Sequence, residues 1–321
     1  MAFTINNRRY EDELGRFTAL LEKLQEFLKQ SGSNLVVRST KLGGYERKLR
    51  DIGLLGARDA AGLTEIISRY NQLDAIFLED SKVKFKAGDL HSILEGQTVL
   101  HDLKEDYNDI FFELSMAVRC AASFPGIATI DMTSICDVIV DEKIAIECKY
   151  LHGKKGLRDN VAKGLAQLDQ RVDAGLAKAG FVAIDVSALL DKDKIWEFAQ
   201  GVFDCFLSSN EKLCKIGRLE QDEILVQIAS DSNFQSIITG FVAHQAEFVF
   251  WSNFGRSEIE KMTANCYAVI YQYSNAFCFD DERDGRLPIP FRGTGYCINP
   301  MFSGEAKGGI EKYIHSMAPG I

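Results

Sequence analysis

From Asp137 to Lys149 the chain reads Asp-Val-Ile-Val-Asp-Glu-Lys-Ile-Ala-Ile-Glu-Cys-Lys, two short β-branched runs around the polar triplet Asp141-Glu142-Lys143. Apolar runs of this length on either side of a polar turn predict a β-hairpin. Side chains alternate across a strand, so Glu147 and Lys149 share one face while Ile146, Cys148 and Tyr150 take the other. A carboxylate and an ammonium thus stand at the end of an apolar strand and face Asp137 on its neighbour. Such a trio is either an ion-pair cluster, worth little on a surface, or a piece of chemical machinery. The elements on either side decide between the two.

Before the hairpin, residues 103–122 place Tyr107, Ile110, Phe111, Leu114, Val118 and Ala121 on one helical stripe, with Glu113 at its margin. A carboxylate there can reach over the edge of whatever sheet the helix covers. Ser123-Phe-Pro-Gly126 breaks that helix, and residues 127–132 read as a first strand, which makes the hairpin strands second and third. A loop at 151–156 leads into a helix predicted over 157–179. Val161, Leu165, Leu168, Val172 and Leu176 form its buried face, while Lys163, Gln167 and Arg171 stack at i, i+4 and i+8 on another. Gly180 is read as the stop of that helix and 181–187 as a core strand. A strand-helix-strand unit of this length predicts a right-handed parallel crossover, so the local order is α-β-β-β-α-β.

At this point the residues can be compared with a known pattern. Glu113 on a helix, Asp137 on one strand, Glu147-x-Lys149 on the next and Gln167 on the following helix resemble the PD-(D/E)XK nuclease superfamily, over roughly residues 103–187. Cys136 stands before Asp137 where that superfamily often has proline. The resemblance implies a restriction-endonuclease-like α-β-β-β-α-β core with a mixed sheet, and a metal-dependent endonuclease that hydrolyses phosphodiester bonds. It implies Mg²⁺ as cofactor, with Mn²⁺ able to substitute, held by Asp137, Glu147, the Cys148 backbone carbonyl and Glu113. Lys149 would orient the attacking water or stabilise the transition state, and Gln167 would position the scissile phosphate or a water. Restriction or anti-phage defence is the biological setting that the analogy suggests.

Phosphodiester cleavage makes the same demands on chemical grounds. Charge must be neutralised as it develops on the phosphorus oxygens and a hydroxide must form near neutral pH, both of which a carboxylate-held divalent ion supplies. Lys149, beside two carboxylates, is expected to stay charged. Lys163, Arg171, Lys154 and Lys155 belong to a basic stretch that follows the hairpin and are the expected phosphate contacts. The net charge of −9 argues against indiscriminate electrostatic binding of nucleic acid. Tight binding is therefore expected to need a homo-oligomer or a partner protein that concentrates this stretch. DNA is favoured over RNA as substrate. A non-catalytic binding or assembly subunit that keeps a nuclease-like fold is the alternative. His152, in the loop after the motif, is read as solvated or as touching substrate. His91, His101, His244 and His315 lack ligand spacing.

The rest of the chain divides into a helical N-terminal region, residues 1–102, and an α+β C-terminal extension, residues 191–321, around a core at 103–190. Leu14, Phe17, Leu21, Leu24 and Leu28 predict an amphipathic helix over 9–30, and Leu63, Ile66, Ile67, Tyr70, Leu73 and Phe77 another over 59–79. A weaker helix is expected at 90–100, and 33–57 reads as loops around an extended Leu35-Val-Val-Arg38. Helices are expected at 191–207, 220–229 and 310–317, and a short one at Ser257-Glu-Ile-Glu260. Residues 266–279 read as a strand, and 237–251, which end in Phe248-Val-Phe-Trp251, read as a strand with a buried helix over 237–250 as the alternative; the Pro/Gly-rich 287–295 reads as loop, with Gly293-Thr-Gly295 as a turn. The cysteines are scattered with no Cys-x-x-Cys pair, and no apolar run reaches membrane length. A cytoplasmic protein with reduced thiols and no membrane partner is expected.

Overall fold

The structure, a computed structural model, describes residues 2–5, 10–100, 107–123, 126, 129–153, 156–216, 224–281 and 285–317. In chain order, β1 (Ala2–Ile5) precedes α1 (Tyr10–Gln30), α2 (Lys41–Arg50), α3 (Ala57–Asn71), β2 (Val83–Lys84) and α4 (Ala87–Leu94). Then come α5 (Tyr107–Ser123), β3 (Ile130–Asp131), β4 (Val138–Val140), β5 (Ile144–Tyr150), α6 (Leu157–Asp173) and β6 (Ala179–Asp185). The chain continues through α7 (Lys192–Lys215), α8 (Ile224–Ser230), α9 (Ser232–Trp251), the single turn α10 (Arg256–Ile259), β7 (Cys266–Asp281), β8 (Gly285–Ile298) and α11 (Gly304–Met317). The fold is mixed α/β, with the strands in one sheet of order β1-β8-β7-β6-β5-β4-β3-β2. At its centre β5, β6 and β7 run parallel, and β4 and β8 pair antiparallel on either side.

Strand alternation splits the core into two layers. Ile146, Cys148, Tyr150, Phe181 and Ala183 pack with α1 to α5 and α11. Ala145, Val182, Ile184, Val269 and Tyr271 pack with α6 to α9. The hairpin β4–β5 has the register Val138↔Ile146 and Val140↔Ile144, and α6 is the crossover that makes β6 parallel to β5. Asp141 and Glu142 both take positive φ, 50° and 54°, in the turn that Lys143 N closes on Val140 O at 3.0 Å. The Asp141 side chain accepts from Thr129 N at 3.0 Å, which pins the turn to the neighbouring segment. No helix among the described residues is long and apolar enough to cross a membrane.

Several expectations are corrected. Residues 237–251 are helical, as part of α9. Phe234, Ile238, Val242, Ala246 and Phe250 are buried at four-residue spacing, and Asp231 caps the helix by accepting from Asn233 N and Phe234 N. This packing outweighs the strand preference of the aromatic end. The stretch 33–57 holds α2, capped by Thr40, and the segment at 35–38 leads into a single 3₁₀ turn at Val37–Ser39. The second predicted helix ends as α-helix at Asn71 and continues as 3₁₀ over Gln72–Phe77. α6 stops at Asp173, where Gly175 takes a φ of 73° and Leu176 N donates to Arg171 O at 3.0 Å, the six-residue closure of a Schellman cap. Gly180 lies within β6.

The Pro/Gly-rich 287–295 is strand β8. Pro288 and Pro290 pair with Cys278 and Ala276 of β7, and among the described residues β1 pairs with β8 over Phe291–Thr294. Gly293 and Gly295 oppose Tyr273 and Tyr271, and a Cβ on either would come within 2.2 Å of the tyrosine ring. The glycines make room for two buried aromatic side chains. Gly293→Ala is therefore expected to destabilise the protein by about 1–3 kcal/mol in urea unfolding. Gly308→Ala, whose Cβ meets nothing within 4 Å on a helix, is expected to be neutral or to stabilise by up to about 1 kcal/mol.

Candidate active site

The carboxylate of Glu147, on β5, has no solvent exposure. Arg171 on α6 donates from Nε to its Oε1 at 3.3 Å. Its Oε2 has no hydrogen-bond partner and lies 3.8 Å from Lys149 Nζ. Asp137, just ahead of β4, uses Oδ2 to accept from Cys148 N at 2.6 Å and from Lys149 Nζ at 3.3 Å. Its side chain thereby extends the β4–β5 ladder past the end of the strand. Lys149 Nζ also donates to the Cys148 carbonyl at 2.9 Å. The ammonium is thus the focus of three oxygens: one from Asp137, one from Glu147 and one from the backbone between Glu147 and Lys149.

Burial and charge pull these groups in opposite directions. Burial, followed by the neighbouring charge of Asp137, pushes the Glu147 carboxyl upward, and Lys149, the Cys136 thiol and Arg171 only partly offset this. For Lys149, burial alone would lower the ammonium, but the Asp137 and Glu147 carboxylates outweigh it and the net shift is upward. Lys149 is accordingly charged at neutral pH. Glu113 on α5 is raised to about 8, first by burial and then by Asp137, with Lys149 opposing. Its carboxyl is therefore biased towards the protonated form near neutral pH.

The cavity beside these residues has a volume of about 530 Å³ and lies at the C-terminal end of β5. Asp109 and Glu113 of α5 line it, as do Cys148, Lys149 and Tyr150 of β5, His152 in the loop that follows, and Asn160 in the first turn of α6. Lys149 stands between this cavity and the buried Glu147. The expected residues are distributed unevenly around it. Asp137, Glu147, Cys148 O and Lys149 form one contact network, and Glu113 faces the cavity. Arg171, expected to grip substrate, is instead tied to Glu147, with its side chain 13% exposed. Gln167 lies one turn before Arg171 with a buried Oε1 that lacks a hydrogen bond, Lys163 is exposed, and Lys154 and Lys155 fall outside the described residues. Asp109 and Asn160 were not singled out from sequence. Asp109 was legible as the residue one helical turn before Glu113; Asn160 had no distinguishing signal.

Among the described residues, no three His, Cys, Asp or Glu side chains converge as a metal-holding group. What converges is two carboxylates and a carbonyl. No protein-family profile matches the chain, and neither a curated protein nor a solved structure matches it.

Because the folded protein keeps the Glu113 proton up to about pH 8, against an ordinary value of 4.5, the native state binds more protons than the unfolded chain across that window. Stability therefore falls as pH rises through it. For a partly buried group the effect is on the order of 1–3 kcal/mol after allowance for solvent screening. In urea unfolding series of the metal-free protein between about pH 5 and 8, Glu113→Gln is expected to flatten this decline. Parallel pH dependences for the two proteins would contradict the assignment.

Proposed function

We propose that the protein is a metal-dependent phosphodiester hydrolase with a restriction-endonuclease-like core, an endonuclease acting on nucleic acid, with DNA favoured over RNA. The observation that carries the proposal is the convergence of Asp137 Oδ2, Glu147 Oε2 and the Cys148 carbonyl on one cation position, 3.3, 3.8 and 2.9 Å from the Lys149 ammonium. These are hard oxygen donors, and Mg²⁺ is commonly held by one or two carboxylates with waters completing its shell. The three atoms are of the donor type such an ion takes. Bound there, Mg²⁺ or Mn²⁺ would supply Lewis-acid charge and a water of lowered pKa.

The protein's own groups have separable parts to play. Arg171 fixes Oε1 of Glu147 and leaves Oε2 free of hydrogen bonds. Lys149 would compete with a divalent ion for the same oxygens, and its charge, at the edge of the cavity it lines, would stabilise negative charge on a phosphate there. Glu113 presents a carboxylic acid to the same cavity. The element order α5-β3-β4-β5-α6-β6, with β5 and β6 parallel, is the α-β-β-β-α-β arrangement that the nuclease resemblance implies. The cavity is the size of a small-ligand cleft, enough for a nucleotide-sized part of a substrate. Burial adds to the case: a buried ion pair is poor value for stability, since apolar residues of similar volume often do as well.

A non-catalytic binding subunit is the second reading. In its favour, both carboxylates are already neutralised by Lys149 and Arg171. The discriminating experiment is plasmid degradation with and without Mg²⁺. Wild type is expected to cleave only with the ion, and Glu147→Ala and Lys149→Ala to lose at least about 10²–10³-fold in rate. Cleavage that persists in both variants would sink the hydrolase assignment. Calorimetric Mn²⁺ uptake that is lost in Asp137→Ala would count against the binding-subunit reading.

A further inference from the structure

Helix α9 has an exposed face, yet among its twenty residues only Glu247 carries a formal charge. Phe234, Ile238, Val242, Ala246 and Phe250 are its buried stripe. On the other side Ile237, Phe241, His244, Phe248 and Trp251 follow at spacings of four, three, four and three, the seam of a helix that packs on a second helix. Phe241 is half-buried and stacks on Phe198 of α7 at 3.8 Å. Ile237 is 42% exposed, Phe248 66% and Trp251 42%. A surface helix ordinarily turns charged and polar side chains to water. From Ile237 to Trp251, a length of about 21 Å, α9 turns aliphatic and aromatic groups outward instead.

Shape decides what fits this face. Ile237, Gly240, Phe241 and His244 stand at i, i+3, i+4 and i+7, the corners of a hole that accepts a knob from a facing helix. Gly240 leaves the hole open: it is exposed, and a Cβ built on it meets nothing within 4 Å. The projecting group on the same face is Phe248, two turns further on. Knob and hole lie at equal distances on either side of His244, so an antiparallel copy of α9, related by a two-fold axis there, places each Phe248 in the other chain's hole. An isologous contact needs one patch that complements itself. Charge is compatible with this, because the two Glu247 side chains would stand about 8 Å apart along the helix axis rather than opposite each other.

A standard interface takes roughly 800 Å² from each partner, more than one helix face supplies. Neighbouring elements extend it. Phe198 packs on Phe241 and Phe206 on Phe234, so α7 runs antiparallel to α9 and its C-terminal end passes the start of α9. Leu213, Ile216 and, on α8, Val226 are exposed there as well. At the other end, Arg158 in the first turn of α6 donates to Asn253 O, just past α9, at 3.1 Å. We propose that the α7–α9 face pairs with the same face of a second copy of this chain, Phe248 of each seated against Gly240 of the other. This self-association is separate from the chemistry of the cavity and holds whether or not phosphodiesters are hydrolysed there.

The test is sedimentation velocity on the full chain at micromolar concentrations, which is expected to show a species of twice the 35.9 kDa chain mass. Phe248→Glu and Gly240→Lys change exposed positions, so each is expected to keep the wild-type circular dichroism. Each is expected to weaken self-association by at least about 30-fold, as loss of a central aromatic anchor or of its pocket does. Mixing the two variants is expected to restore a dimer, because the mixed pair keeps one native Phe248–Gly240 contact and sets Glu against Lys at the other. If either variant fails to fold, Trp251→Lys provides an independent disruption of the same face. A monomeric wild type, a dimer that survives both Phe248→Glu and Trp251→Lys, or folded single variants that stay monomeric on mixing would overturn the proposal.

Discussion

A carboxylate with no solvent exposure must be held by cations and hydrogen bonds or give up its charge, and Glu147 occupies such a place in the middle of the sheet. Lys149 comes from the same strand face two residues on, and Arg171 from the last turn of the crossover helix. Much of the local architecture serves to bring these three together. The Gly175 cap ends α6 just past Arg171 and so fixes where that residue lies over β5. Asp137 is drawn in from the adjoining strand because its carboxylate replaces a backbone acceptor for Cys148 N. The result is a dense, nearly dry cluster with two negative and two positive side chains, in which Oε2 of Glu147 is left without a hydrogen bond.

The sheet gives this cluster direction. β5, β6 and β7 are parallel and end on the same side, where crevices of open α/β sheets form. α5 covers one face and α6 the other, and their N-terminal turns both reach the end of β5. The cavity there is consequently lined from α5, β5 and α6, with Lys149 as the partition between the open space and the buried carboxylate. Glu113 arrives from the opposite face of the sheet to Glu147, which is why its carboxyl feels Asp137 through space without bonding to it.

The hairpin, its face alternation and the crossover were legible because each is a local pattern: β-branched runs around a polar triplet, and a helix-length segment between two strands. The convergence of Asp137, Glu147 and Lys149 followed from that alternation alone. The role of Arg171 did not. Spacing put it on a polar helix face but could not tell a side chain that reaches solvent from one turned inward onto a strand. The errors elsewhere share a cause. Phe248-Val-Phe-Trp251 has strand composition, yet the buried four-residue spacing across α9 overrides it. Gly293 and Gly295 punctuate a sequence like a turn, but in β8 they answer to Tyr273 and Tyr271, partners some twenty residues away in the chain. Propensity carries no information about which side of a strand is paired.

One point in space is central, the position between Asp137 and Glu147 where Lys149 Nζ stands. The most direct measurement is the anomalous scattering of Mn²⁺ in crystals of the wild-type protein grown or soaked with the ion. The account predicts a single strong peak within ligand distance of Asp137 Oδ2, Glu147 Oε2 and the Cys148 carbonyl, with the Lys149 ammonium moved off Asp137 towards the cavity. Manganese bound only elsewhere, or no peak at a concentration that saturates Mn²⁺ uptake in solution, with Lys149 still bridging the two carboxylates, would contradict it.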